Sequence, residues 1–381
     1  MSVAVAVPSL KTGEIQGAAS SVDTEGRFPE EGISALRRDG LLSLGIPEEL
    51  GGTGGGPVEY VSAVERIAAA CASTAMVYVM HVTATQTLIA GLGEESDGPK
   101  AEAIAEIVAG EHLTTLAYSE KGSRGHFWAQ VSRAVPDGGG VLIDADKSWT
   151  TSSGHADSYV TAVGAPGTDN PITTDLYLLP ADSDGIEMGS RFDGLGLRGN
   201  ESGPLTLRSV RASDEQRLGE PGSGFATMMT ATLPWFSLGS AASSVGIASA
   251  ALDAAAIHAS GASLAHLGGT TLSELPTVRA QLAAAKVRHM QARAHLFEVA
   301  GQVAEADPAA ELGVLAVKAS AGEMAIDVTD AAMHVGGGAA FSKHLSIERH
   351  FRDARAASVM APSTDLLYDF VGKAITGQEL F

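Results

Sequence analysis

A mostly helical α+β fold is predicted by three observations along the chain. Apolar residues recur at helical spacing up to residue 112. Short strand-like runs separated by turn residues fill 113–218, and long alanine-rich stretches of helix-forming composition follow. At 381 residues the chain exceeds the usual size of a single core. Three domains are therefore expected, at 1–112, 113–218 and 219–381.

In the first zone the apolar positions run from Val58 and Val61 through Ile67, then Met76, Met80 and Leu88, then Ala103, Ile104, Ile107 and Val108. Their spacing of three to four keeps one face of a helix apolar. Pro47, Gly51-Gly52 and Gly54-Gly55-Gly56 break the early helices with loops. In the middle zone Val141-Leu142-Ile143, Tyr159–Val163, Leu176–Leu179 and Leu205–Leu207 read as strands. Clusters such as Pro136–Gly140 and Pro166–Asn170 separate them, which argues for a compact β domain. After Gly224, the runs from Ala226 to Ser260, Leu272 to Ala304 and Ala309 to Val335 predict a bundle of three or four helices.

Composition excludes several classes of function. A net charge of −20 opposes non-specific binding to nucleic acid or to an anionic membrane surface, since both are also negative. A phosphate-bearing ligand stays compatible, because backbone amides and helix N-termini hold phosphate locally. The lone cysteine, Cys71, sits in an apolar stretch and reads as a small buried hydrophobe. With no disulfide framework, a reducing and hence cytoplasmic location is expected. The start MSVAVAVPSLKTGE lacks the basic and long apolar regions of a secretory leader, and no unbroken apolar run of spanning length is read. His334, His344 and His350 match no metal-ligand spacing, and His289 and His295 read as solvated helix residues.

Five segments carry more specific information, in this order: Gly45–Gly54 (GIPEELGGTG), Tyr118–Gly125 (YSEKGSRG), Lys147–Ser152 (KSWTTS), Gly196–Ser202 (GLRGNES) and Leu218–Phe225 (LGEPGSGF). Together with Arg352-Asp353-Ala354-Arg355, they resemble the landmarks of the acyl-CoA dehydrogenase family over nearly the whole chain. That resemblance implies an N-terminal helical domain, a β-barrel-like middle domain and a C-terminal four-helix bundle, with FAD wedged between the last two. It places Tyr118, Ser119, Trp149 and Thr151 at the isoalloxazine, and Ser123, Arg124 and Gly125 on the substrate side. The chemistry is sensible: a flat apolar ring with a hydrogen-bonding edge needs an aromatic wall plus hydroxyl and amide donors. Donors at that edge also stabilise charge that develops on reduction. Gly336-Gly337-Gly338 resembles a turn that, in family homotetramers (dimers of dimers), approaches the FAD diphosphate of a neighbouring subunit. Gly337 and Gly338 are accordingly expected to bind cofactor. An electron-transfer flavoprotein or a flavin reductase is the implied redox partner.

Departures from the family pattern bear directly on function. Ungapped alignment from Arg352 puts Ala361 where the family carries its catalytic glutamate. The other place from which members supply a glutamate is held by Phe236. Neither side chain can accept the α-proton of an acyl thioester of CoA or carrier protein. His81 and Asp365 are the candidate replacements, with Asp365 also a candidate flavin contact, and His81, Phe236 and Ala361 are expected beside substrate. Glu120 is expected to orient ligand. Ser263–Gly269 replaces the family's R-x-x-F-G, whose arginine meets the FAD diphosphate; this leaves FMN open beside FAD, with Arg279 as a substitute anchor. Three functions follow: a thioester dehydrogenase with a relocated base, a monooxygenase using reduced flavin and O2, or a non-catalytic flavin-binding relative.

Overall fold

A computed structural model describes residues 10–93 and 97–380. The start of the chain, expected to carry no leader, falls largely on residues 1–9, outside the described part.

Helices α1 (Gly13–Glu25), α2 (Glu30–Arg38), α3 (Pro57–Ala70), α4 (Ala72–Ala90) and α5 (Pro99–Ala109) precede the first strand. Helix α4 buries residues around its whole circumference, from Ala72 to Leu88, so it threads the core instead of bordering it. Cys71 separates α3 from α4 in an extended conformation and is buried with a free thiol.

The middle zone comprises β1 (Thr114–Ala117), β2 (Val135–Pro136), β3 (Gly140–Thr150), β4 (Ser158–Gly164), β5 (Thr174–Pro180), β6 (Ile186–Met188), β7 (Gly203–Ser213) and β8 (Arg217–Leu218). They form two four-stranded sheets, ordered β1-β4-β5-β8 and β2-β3-β7-β6. The barrel-like shape is realised as two facing sheets, with no barrel closure among the described residues. Their shared core holds Val141, Ile143, Ala145, Tyr159, Val163, Leu179, Leu205 and Leu207. Strands β4 and β5 are buried on both faces. Tyr159 and Val163 face the other sheet, while Val160 and Ala162 pack into the helical core. Double burial explains why these strands read as unbroken apolar runs.

The third zone starts with α6 (Gly224–Thr227), a π-helical turn at Met228–Thr232 and α7 (Leu233–Gly261). A two-residue ladder, β9 (Ser263–Leu264) with β10 (Thr270–Thr271), leads to α8 (Pro276–Ala304) and α9 (Ala310–Phe341). Then come α10 (Ile347–Asp353), α11 (Ala356–Val359) and α12 (Thr364–Ile375). Long helices α7, α8 and α9 with the shorter α12 make the four-helix bundle. The Gly224–Gly261 stretch has the length and hydropathy to cross a membrane, a property the polar breaks in the sequence had masked. Yet 67% of its apolar window is buried within the protein. Helix α9 breaks at Gly337, whose φ of 51° and ψ of −136° suit a residue without Cβ.

Candidate active site

Between the middle sheets, α4, α7 and the α10–α12 region lies a cavity of about 770 Å³, within the range of small-molecule and cofactor sites. Each wall comes from an identifiable local cause.

The first wall is the end of β3. Val141, Ile143, Ala145 and Lys147 alternate inward as a regular strand requires. Continued without interruption, that phase would send Trp149 into the sandwich. Instead the pairing with β7 jumps from Lys147↔Leu205 to Thr150↔Gly203, three residues against two, which is a β-bulge. Trp149 takes a φ of 60° and turns outward into the cavity, 70% exposed, while Thr150 takes the inward place. The Phe192 ring meets the Trp149 indole edge-on at 6.5 Å. Past the bulge, Thr151 Oγ1 and Ser202 Oγ share a hydrogen bond of 2.9 Å.

The second wall is the segment after β1. Ser148 N–H donates to Ser119 O at 2.8 Å, which ties this segment to β3. Tyr118 lies on the Phe127 ring, with its hydroxyl 3.4 Å from Thr232 Oγ1. Burial pushes the Tyr118 phenol well above its ordinary range. Thr232 ends the π-turn, where Pro234 cannot donate to the preceding helical turn and the helix widens. One turn on, Phe236 shows its ring to the same cavity.

The third wall joins two of the sequence landmarks. Leu197 N–H donates to Asp353 Oδ1 at 2.7 Å, so the Gly196–Ser202 loop is fastened to α10. Burial raises the Asp353 carboxyl to about 6. Arg352 forms a two-pronged pair with Asp23, at 2.8 and 2.6 Å, and a further bond to Glu348. Arg355 pairs with Asp330 and lies 3.7 Å over the Phe351 ring. Arg124, with a φ of 49°, lines the cavity and has no carboxylate partner among the described residues.

Of the residues named from sequence, Tyr118, Ser119, Arg124, Gly125, Trp149, Thr151, Phe236 and Ala361 are brought together around this cavity. Others lie elsewhere. His81 is fully buried and does not line it. Its Nδ1 accepts from Thr114 N–H at 3.2 Å, which makes Nε2 the donor to Leu42 O at 3.0 Å. Both ring nitrogens are thus committed, and burial lowers the imidazole to about 4. Asp365 is exposed in the first turn of α12, away from the lining. The Ser123 hydroxyl is turned back to Glu120 O at 3.1 Å. Gly337 and Gly338 are exposed at the α9 break, outside the cavity. Glu120 is locked in a buried pair with Lys147 and does not line the cavity. Arg279 Nη1 donates to Ser273 O and Glu274 O, at 3.2 and 2.6 Å, and the residue does not line the cavity. His289 proves buried against Val245 O, and His295 is half-buried beside Ser320, because α8 turns these faces inward.

Sequence reasoning did not assign Phe192, Thr232 or Ser202 to the site. Ser202 ends the Gly196–Ser202 landmark; for Phe192 no sequence signal existed. The finding that matters most is chemical. Among the described residues the lining contains arginines, hydroxyls, one amide and apolar groups, but no Asp, Glu, His or Lys.

Comparison with known proteins gives consistent matches. The family model described as "Acyl-CoA dehydrogenase, N-terminal domain" matches residues 6–111, and "Acyl-CoA dehydrogenase, C-terminal domain" matches residues 222–376. The Mycobacterium tuberculosis protein named "Probable acyl-CoA dehydrogenase FadE25" is 30% identical over 358 residues, 93% of this chain and 89% of that protein. The Bos taurus "Short-chain specific acyl-CoA dehydrogenase, mitochondrial" is 29% identical over 348 residues, 91% of this chain and 83% of that one. Butyryl-CoA dehydrogenase from Megasphaera elsdenii superposes with a TM-score of 0.88 at 23% identity, covering 96% of this chain and 94% of its own.

Proposed function

The chain belongs to the acyl-CoA dehydrogenase family, and on that premise we propose that its cavity binds FAD and serves a flavin-dependent oxidoreductase. The residues present suit such a group: an indole aimed outward by a bulge, neighbouring hydroxyls at Thr151 and Ser202, and a largely apolar space. Bound there, a flavin would supply hydride acceptance at N5 or, once reduced, activation of O2. Trp149 would bound the ring, while Thr151, Ser202 and the Ser119 segment offer hydrogen bonds at its edge. Met76, Met80 and Phe236 provide an apolar surface for substrate, and Arg124 supplies a cation for a carbonyl or anionic substituent.

The single observation that carries the choice between reactions is the lack, among the described lining residues, of a carboxylate or imidazole. Removing an α-proton from an acyl thioester relies on a positioned base, worth on the order of 10²–10⁴-fold in rate. Neither Ala361 nor Phe236 can act as one, and His81 and Asp365 lie outside the cavity. Oxygen transfer from reduced flavin to carbon, nitrogen or sulfur has no such requirement, so the lining favours a monooxygenase fed by a flavin reductase. Dehydrogenation of an acyl thioester, with an electron-transfer flavoprotein as acceptor, is the second reading. It is supported by curated relatives named as dehydrogenases at about 30% identity. A cytoplasmic homotetramer binding FAD, with FMN as the alternative, completes the proposal.

The test uses purified protein. Yellow protein with bound flavin is expected in either case. Oxygen-dependent product formation on adding a reductase supports the first reading. Bleaching of the flavin by acyl-CoAs without oxygen would overturn it in favour of the second.

A further inference from the structure

Lys318 lies in the first third of α9 and is 1% exposed. Its ammonium donates to three backbone carbonyls: Ala357 O at 3.2 Å, Met360 O at 3.0 Å and Pro362 O at 2.7 Å. An ammonium has three protons, so its donor set is complete. The Phe236 ring lies 5.7 Å from Nζ. No side-chain charge among the described residues contributes to its environment; burial alone lowers it, to about 7.

A lysine buried without a carboxylate is costly, and proteins rarely keep one without a use for it. The three carbonyls show what this one holds. They flank the short non-helical link between α11 and α12, where the chain leaves helical pairing and places Met360 and Ala361 in the cavity lining. Of the two residues that reach the lining, Met360 is flexible and Ala361 small, so neither side chain wedges that wall in place. The lysine holds the backbone directly, through its three hydrogen bonds.

We propose that Lys318 is a positioning residue that fixes the Met360–Ala361 wall of the cavity and thereby sets the space for the substrate's reacting end. The substrate part of this statement rests on the function proposed above; the clamp itself does not. Nζ does not line the cavity, so the lysine acts through the backbone and not as a base. Every proton of the ammonium is used on one short link, which concentrates its effect there.

Hydrogen–deuterium exchange on the full-length protein tests the clamp, comparing wild type with Lys318→Gln, which keeps two N–H donors, and Lys318→Met, which keeps none. Exchange across residues 356–364 should accelerate at least tenfold in Lys318→Met and by less in Lys318→Gln, with α7 and both sheets unchanged. Equal exchange in that segment, or acceleration spread evenly through α9 and the sheets, overturns the proposal. Should Lys318→Met fail to fold, Lys318→Gln against wild type decides on the same criterion. A second arm titrates FAD and then butyryl-CoA by absorbance. FAD affinity should stay within threefold, and butyryl-CoA affinity should fall about tenfold in Lys318→Met. Wild-type protein that binds neither probe sinks the functional reading alone, and the exchange data still judge the lysine.

Discussion

Lys147 Nζ donates to Glu120 Oε1 at 2.7 Å, with both side chains shut away from solvent. The carboxylate also accepts from Val131 N–H and Ser132 N–H, at 2.6 and 2.8 Å, and from the Ser132 hydroxyl. Lys147 reaches Gln130 Oε1 and Ala162 O as well. The pair therefore knits together the loop that presents Arg124, Gly125 and Phe127 to the cavity. Burial alone would raise the Glu120 carboxyl, but the Lys147 charge and the hydrogen bonds outweigh it and hold the group below its ordinary value.

Removing one partner leaves a buried charge uncompensated, so Lys147→Met should cost about 3–5 kcal/mol of stability. Urea unfolding followed by circular dichroism would measure it. A loss below about 1 kcal/mol, small beside the cost of an unpaired buried charge, would show that the loop does not depend on the pair.

Trp149 is exposed and contributes little to the core, so Trp149→Ala should leave the unfolding midpoint nearly unchanged. Loss of its aromatic surface should weaken FAD binding by about tenfold, corresponding to roughly 1.4 kcal/mol. Fluorescence titration of apoprotein with FAD gives the number, and unchanged affinity would remove the indole from the flavin site.

Ala361→Glu supplies a carboxylate at the wall that lacks one. If a thioester binds, as in the second reading, acyl-CoA oxidation should rise by about 10²-fold, read as anaerobic flavin bleaching. The absence of any gain would mean that position 361 does not face the reacting carbon.

His81 predicts an acid sensitivity. Burial holds its folded-state value at about 4, below the ordinary 6.5. The unfolded chain thus binds more protons between those values, so the stability contribution is fully present above 6.5. It is lost as pH falls towards 4, by roughly 3 kcal/mol in total. Urea midpoints of wild type and His81→Gln from pH 7 to pH 4 should converge if this is right. Parallel lines would refute it.

Much of the fold was legible because it rests on period and punctuation. The runs at Tyr159–Val163 and Leu176–Leu179 became β4 and β5, and the alanine-rich stretches became the bundle. The helix containing His81 was equally clear, but which way its imidazole points was not. Alanine, valine and threonine surround the whole of α4, so no polar face marks an outside. Asp365 and Gly337 lie outside this chain's cavity lining, because motif position along a chain does not say which side of a helix end meets a cavity. Lys318 gave no signal at all, since a lysine in a helical run reads as solvated until its three carbonyl partners are seen.

The single extra residue in β3 has a consequence for anyone altering this chain. A one-residue register slip that paired Trp149, in place of Thr150, with Gly203 would restore even pairing with β7 and reverse the facing of the next side chains along the strand. The indole would then swing into the space between the sheets, and a threonine would take its place at the opening. So small a slip would erase the aromatic surface while leaving every flanking strand intact.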